Sequence, residues 1–231
     1  MSAIAIVPSA PVLVPELGGA VSAELADLRA AVLAAAAVLP SRWIAIGTGG
    51  ADGVMGPDGP NSTGTFAGFG VDLAVGLSPQ AGAGAPVEFP VCALLAGWVR
   101  SQAQPDAGAQ VRVYRSDHDA DTALARGRQL RAEIDRGPGP IGVLVVADGA
   151  NTLTKMAPGG YDPGAAESQT ALDDALASGD VAALTRLPGQ VLGRVAFQVL
   201  AGLTEPGPRT AKELYRGAPY GVGYFAGVWQ P

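Results

Sequence analysis

Histidine and cysteine are almost absent from this sequence, which holds one of each in 231 residues. The single Cys92 excludes an intrachain disulfide and a cysteine-rich zinc site. The single His118 excludes every mechanism that needs two imidazoles. Cys92 stands in the apolar segment Pro90–Leu95, and this setting predicts a buried, inert thiol.

Charged residues are also few. They make up 16% of the chain, and 21 acidic residues against 15 Lys and Arg give a net charge of -6. Proteins that bind a phosphate backbone usually carry a basic surplus, so we expect no nucleic-acid partner. The longest apolar run, Ala30–Leu39, is about half the length that a bilayer span requires. No basic stretch precedes the first apolar residues, so no signal peptide is expected and the cytoplasm is the expected location.

Apolar residues are abundant, at 48% of the chain, which favours a globular protein with a sizeable core. Strand and helix patterns alternate, and we find no repeat and no linker. The sequence therefore predicts one α/β domain over residues 1–231, with a central mixed or parallel sheet flanked by helices. The predicted strands are Ala3–Val7, Arg42–Gly47, Gln110–Arg115, Pro140–Ala147 and Tyr215–Trp229, with a strand pair or edge strand in Phe66–Leu77. The predicted helices are Ser22–Leu39, Val91–Gln102, Asp119–Arg136, Pro163–Ser178, Val181–Arg186 and Pro188–Leu203. Two long loops are predicted, at Thr48–Thr65 and Asp148–Asp162.

Two short motifs have ordinary explanations. Gly47–Gly53 follows a strand and nearly matches a dinucleotide fingerprint, but the Gly and Pro residues after it prevent the helix that binds a pyrophosphate. His118 lies in Ser116–Asp119, just before a predicted helix, where Ser or Asp would cap the free amides. A general-base role for His118 beside a carboxylate is the alternative.

The segment Asp148–Lys155 is the most suggestive part of the sequence. It begins where a central strand ends, and ligands of open α/β sheets bind outside the carboxyl ends of strands. Within eight residues it supplies an acid, an amide, two hydroxyls and an ammonium group. An Asx-type turn that satisfies its own backbone explains the same residues equally well.

Three segments in this order, Ile6–Leu17, Ala147–Tyr161 and Ala218–Phe225, resemble a known family. The resemblance is to the catalytic subunits of the class III extradiol ring-cleavage dioxygenases and to their Memo-like relatives, and within them to a divergent actinobacterial branch. It covers nearly the whole chain and implies an α/β fold like that of these class III extradiol dioxygenases. Active members of the family bind Fe(II) through two His and one Glu and use a further His as an acid and base.

The iron ligands that this resemblance implies are missing. Ser9 and Gly49 stand where the family has His, Thr152 or Leu153 stands near the third His, and Gly193 or Arg194 stands near the carboxylate. Hydroxyl groups do not replace neutral imidazoles on Fe(II), so no cofactor is expected and dioxygenase chemistry is not expected. A hard ion such as Mg²⁺ near Asp52, Asp58 or Asp148 is an alternative.

The resemblance also implies that the emptied cleft lies at the strand ends. We expect it to bind a small polar or phenolic ligand without iron, while catalytic residues stay unassigned and enzymatic activity stays an open question. One alternative is a non-catalytic partner or scaffold subunit of a homo-oligomer. The other is an atypical iron-dependent dioxygenase. The cleft candidates are Ser9, Asn61, Asp148, Asn151, Thr152, Lys155 and Tyr220.

Overall fold

The structure is a computed structural model that describes residues 1–19, 23–57, 62–81 and 85–231. Strands and helices alternate along these ranges. The strands are β1 Ala3–Val7, β2 Arg42–Gly49, β3 Gly53–Met55, β4 Thr63–Thr65, β5 Ala74–Gly76, β6 Gly108–Arg115, β7 Gly142–Val146, β8 Thr210–Gly217 and β9 Tyr224–Gln230. The α-helices are α1 Pro15–Gly18, α2 Ala26–Ala37, α3 Val91–Ala103, α4 Ala120–Arg136, α5 Ala165–Ser178, α6 Val181–Leu184 and α7 Arg194–Thr204.

Within the described ranges, seven strands form one mixed sheet in the order β3-β6-β2-β7-β1-β9-β8. The four central strands β6, β2, β7 and β1 run parallel. The strands on either side, β3 at one edge and β9 and β8 at the other, are antiparallel to their neighbours. The prediction of an α/β fold with a mixed or parallel central sheet flanked by helices is confirmed, and the sheet is mixed.

The central strands are apolar on both faces because helices cover both sides of the sheet. On β1, Ala5 and Val7 pack in one core cluster with α2 and α3, whereas Ile4 and Ile6 pack in a second cluster with α4, α5 and α7. All five residues of β7 are buried, as its near-continuous Val and Leu run predicts. No helix of the described chain is long and apolar enough to cross a membrane.

The prediction of one C-terminal strand over Tyr215–Trp229 is wrong. The chain forms an antiparallel hairpin of β8 and β9, reversed by a 3-10 turn at Pro219–Gly221. Tyr220 and Gly221 both have left-handed backbone there, with φ of 59° and 75°. The sequence does not reveal the turn because Gly-spaced aromatic residues continue across it, and left-handed backbone is rare for Tyr.

Two further predictions need correction for the same kind of reason. The predicted loop Thr48–Thr65 contains β3, which pairs with the outer edge of β6, and β4, which pairs with β5. The predicted helix from Pro188 begins only at Arg194, because Val191 forms a bridge with Ala150. Tertiary pairing decides these segments, and local composition does not reveal it.

The connections after β1 and β7 leave the sheet on opposite sides. β1 leads to α2 on one face, and its parallel neighbour β7 leads to α5 on the other. Open α/β sheets bind ligands at the carboxyl ends of parallel strands whose connections diverge in this way. The fold therefore singles out the ends of β1 and β7.

Candidate functional site

The ends of β7, β1 and β9 bring three polar side chains into one row. Val7 lies opposite Val146 in the β1–β7 pair, and Ile6 lies opposite Gly227 in the β1–β9 pair. Beyond the end of β1 the segments on either side of it pair directly, because the Gly149 N–H donates to the Gly223 carbonyl at 2.9 Å and the Gly223 N–H donates to the Ala150 carbonyl at 2.8 Å. Asp148 and Tyr224 flank this pairing and are close enough for the Asp148 charge to act on the Tyr224 phenol, and the Ser9 N–H donates to Asp148. We call these three residues the Asp148 row.

Where β1 and β7 end, the Asp148 side chain replaces the backbone hydrogen bonds between the two strands. The last backbone bond on this side runs from the Ala147 N–H to the Val7 carbonyl, at 2.9 Å. The next donor, the Ser9 N–H, donates instead to Asp148 Oδ1 at 2.8 Å. Burial raises the pKa of Asp148 to about 7, and the Ser9 hydrogen bond, which favours the ionised form, offsets only part of this. A carboxyl that titrates near neutral pH at a strand end is typical of functional sites.

Tyr224 is a polar residue of this row that the sequence analysis missed. It is 5% exposed, and its hydroxyl has no hydrogen-bond partner among the described residues. Burial raises the pKa of its phenol, and the nearby Asp148 charge raises it further. In the sequence Tyr224 is one of several aromatic residues near the C-terminus, and only the pairing of β9 with β1 brings it to this edge.

The loop after β7 is anchored by its backbone. The Gly159 N–H donates to the Asn151 carbonyl at 3.0 Å, and the Asp162 N–H donates to the Thr152 carbonyl at 2.9 Å. The Thr152 hydroxyl oxygen is buried and has no hydrogen-bond partner within the described ranges. Both residues are half-buried, and they follow Asp148 closely in the sequence.

The other predicted cleft residues lie at the rim or beyond the structure. Lys155 is exposed, and no ion pair joins it to another described residue. Tyr220 is 43% exposed, and its hydroxyl donates to the Glu24 carboxylate. Asn61 and Asp58 lie outside the described residues.

Gln169 holds the base of the loop in place from α5. Its Oε1 accepts the Ala150 N–H at 2.8 Å, and its Nε2 donates to Asp173 Oδ1 at 2.8 Å. A Cβ at either Gly149 or Gly223 would lie 2.0 Å from Gln169 Oε1. A side chain at either position would displace the Gln169 amide, which links α5 to the loop after β7 by its hydrogen bond to Ala150.

The residues that the sequence resemblance assigns to iron-ligand positions do not fit a ferrous ion. Ser9 offers only a hydroxyl, Gly49 offers no side chain, and a Cβ at Gly49 would clash with Val113 at 2.8 Å. In the part of the chain that the structure describes, no three His, Cys, Asp or Glu side chains are grouped so as to hold a metal. Oxygen donors of this kind are poor ligands for Fe(II) compared with imidazole.

His118 and Cys92 lie outside the Asp148 row. His118 Nε2 is 2.8 Å from Asp52 Oδ1, and Asp52 also accepts from Arg126 Nη2 at 3.1 Å. Asp119 caps α4 by accepting the Thr122 N–H, as predicted for this helix start. Cys92 is 2% exposed, and burial raises the pKa of its thiol to about 12, so the predicted buried thiol is confirmed.

Three pockets of the described chain lie away from this row. One of about 270 Å³ lies between β6 and α4, one of about 450 Å³ lies near the N-terminal end of β2, and one of about 520 Å³ lies beside the start of α3. None of the predicted cleft residues lines any of these three.

No protein-family model and no curated protein matches this sequence. Among solved structures, the chain is similar to a protein titled as uncharacterized protein JW3007 from Escherichia coli K12. The TM-score is 0.59 with 11% sequence identity, over 99% of this chain and 100% of that one. At this identity the likeness shows the fold alone, and it extends over both chains.

Proposed function

We propose that this protein binds a small polar or phenolic molecule at the carboxyl ends of β1 and β7, on a class III extradiol dioxygenase-like scaffold that no longer holds iron. The observation that supports it most is the Asp148 carboxyl, which is partly buried at the divergence of two parallel strands and accepts a hydrogen bond from the Ser9 N–H. The sequence resemblance supplies the expected scaffold, and the donor set at Ser9 and Gly49 argues against iron.

The chemistry of the row suits a ligand with a hydroxyl or carbonyl group. Asp148 titrates near pH 7, so its free oxygen can donate a hydrogen bond to a carbonyl or accept one from a hydroxyl. The Tyr224 hydroxyl has no partner of its own among the described residues, so it is available to the same ligand. Polar groups of this kind fix the orientation of a ligand in a cleft.

The test is a thermal-stability screen of phenols, hydroxy acids and amides against the wild-type protein. Asp148→Asn keeps the acceptor for the Ser9 N–H but removes the titrating proton, so we expect the ligand-induced shift in Tm to fall by more than half. Asp121→Asn, which changes an exposed carboxyl on α4, is the matched control and should respond like the wild type. The proposal is contradicted if no compound shifts Tm, or if both variants respond alike.

A second candidate function is that of a non-catalytic subunit in a homo-oligomer. Four large apolar side chains are exposed on loops at one edge of the molecule: Met156 at 90%, Tyr161 at 56%, Leu192 at 48% and Tyr220 at 43%. Their loops are joined by hydrogen bonds, from the Leu192 N–H to the Gly149 carbonyl and from the Leu153 N–H to the Gly221 carbonyl. Clustered exposed apolar groups are typical of protein interfaces.

Light scattering coupled to size-exclusion chromatography tests this alternative. A homo-oligomer that uses this edge should dissociate when Met156→Ser and Leu192→Ser are combined. Val38→Ser removes a side chain that is 49% exposed elsewhere and should leave the mass unchanged. A wild-type monomer across the micromolar range excludes the homo-oligomer.

A further inference from the structure

A pocket of about 270 Å³ lies between β6 and α4, away from the Asp148 row. Arg112 and Tyr114 line it from β6, and Arg126, Gln129 and Glu133 line it from one face of α4. We infer that this pocket is a second ligand site and that it binds a small organic carboxylate.

The two guanidinium groups leave most of their donors unused. Arg112 donates through Nε to Gln110 at 3.2 Å and through Nη2 to Glu133 at 2.9 Å, so its Nη1 group has no partner among the described residues. Arg126 donates only through Nη2, to Asp52 at 3.1 Å. The pocket therefore has a surplus of hydrogen-bond donors, and the planar guanidinium fork matches a carboxylate.

Tyr114 adds a hydrogen-bond donor to the lining of the pocket. It is 8% exposed and lines the pocket, yet its hydroxyl has no hydrogen-bond partner in the described chain. Burial raises the pKa of its phenol to about 12, so the group carries its proton at neutral pH. The hydroxyl is therefore available to donate to a ligand or to water in the pocket.

The remaining lining decides the kind of anion. Asp52 and Glu133 balance the two arginines, so a phosphate dianion would meet two carboxylates, whereas a carboxylate adds a single charge. Val54, Val113 and Leu130 also line the pocket and offer apolar contact to the rest of an organic molecule. The lining therefore favours an organic carboxylate over a phosphate.

This site is independent of the proposed function. Tyr114 packs in the core cluster on the α4 side of the sheet, whereas Tyr224 packs in the cluster on the α2 and α3 side. Loss of ligand binding at one site does not imply loss at the other. Asp148→Asn should therefore leave carboxylate binding in this pocket unchanged.

Calorimetric titration of the full chain with benzoate tests the inference, with benzamide and inorganic phosphate as comparison ligands. We expect benzoate to bind more tightly than either. Tyr114→Phe removes one neutral hydrogen bond and should weaken benzoate binding about five-fold. Arg126→Gln removes a charged donor and should weaken it about ten-fold or more.

Two matched variants serve as controls. Tyr161→Phe changes an exposed tyrosine, and Arg131→Gln changes an arginine of α4 that pairs with Asp135 outside the pocket. Both should bind benzoate like the wild type. The inference is overturned if benzoate does not bind at millimolar concentration, if benzamide or phosphate binds as tightly, or if Tyr114→Phe and Arg126→Gln behave like their controls.

Discussion

Asp148 is held in a setting that opposes its ionisation, although one backbone N–H supports the charged form. Its native pKa of about 7 lies well above the ordinary value of 3.8. Between pH 3.8 and about pH 7, the folded protein therefore binds more protons at Asp148 than the unfolded chain does. Stability linked to Asp148 is then complete below about pH 4 and is lost as the pH rises to about 7.

The difference in unfolding free energy between the wild type and Asp148→Asn isolates this effect. Relative to the variant, the wild type should lose about 2 kcal/mol between pH 5 and pH 8, a value reduced for the partial exposure of the carboxyl. Asp173, whose pKa burial raises to about 6, contributes equally to both proteins and cancels. Urea unfolding at the two pH values measures the difference. If the difference between the two proteins is the same at pH 5 and pH 8, the pKa of Asp148 in the folded protein is not raised.

At the scale of the elements, α4 and α7 cross at very short range through glycine. A Cβ at Gly127 would lie 2.2 Å from the Val199 carbonyl oxygen, and one at Gly202 would lie 2.2 Å from the Leu124 carbonyl oxygen. Each clash is with backbone, which has little freedom to move. The crossing fixes α4 against the sheet and, with it, one wall of the pocket beside β6.

Gly127→Ala should therefore destabilise the protein by about 2 kcal/mol, although alanine favours a helix by about 1 kcal/mol over glycine. A loss of stability, where helix propensity alone predicts a gain, distinguishes tight helix packing from intrinsic helix propensity. Chemical unfolding gives the free energy, and Gly50→Ala is the control, because a Cβ at Gly50 meets nothing within 4 Å. A variant as stable as the wild type would contradict the close crossing.

At the scale of the whole molecule, the sequence predicts the layers better than the connections. The Val and Leu run of β7 and the helical spacing of α4 are strong local signals, and both elements are found within two residues of their predicted bounds. The hairpin of β8 and β9 and the pairing of β3 with β6 depend on contacts between distant segments. Such contacts leave no local pattern.

The residues of the candidate site also differ in whether the sequence alone reveals them. Asp148 and Ser9 are recognisable in the sequence because each follows a strand. Tyr224 is not, since it joins them only through the antiparallel pairing of β9 with β1. The Tyr114 pocket is likewise hidden, because it combines a strand and a helix whose facing residues the sequence assigns only to the core or to the surface.

The central claim is that the site at the ends of β1 and β7 holds a small organic molecule and no iron. A crystal structure of protein purified without oxygen, soaked with the best compound of the stability screen and recorded at the iron absorption edge, tests it most directly. We predict organic density within hydrogen-bond distance of Asp148, with no anomalous peak. An anomalous iron peak at these strand ends, or ligand density only elsewhere, would contradict the account.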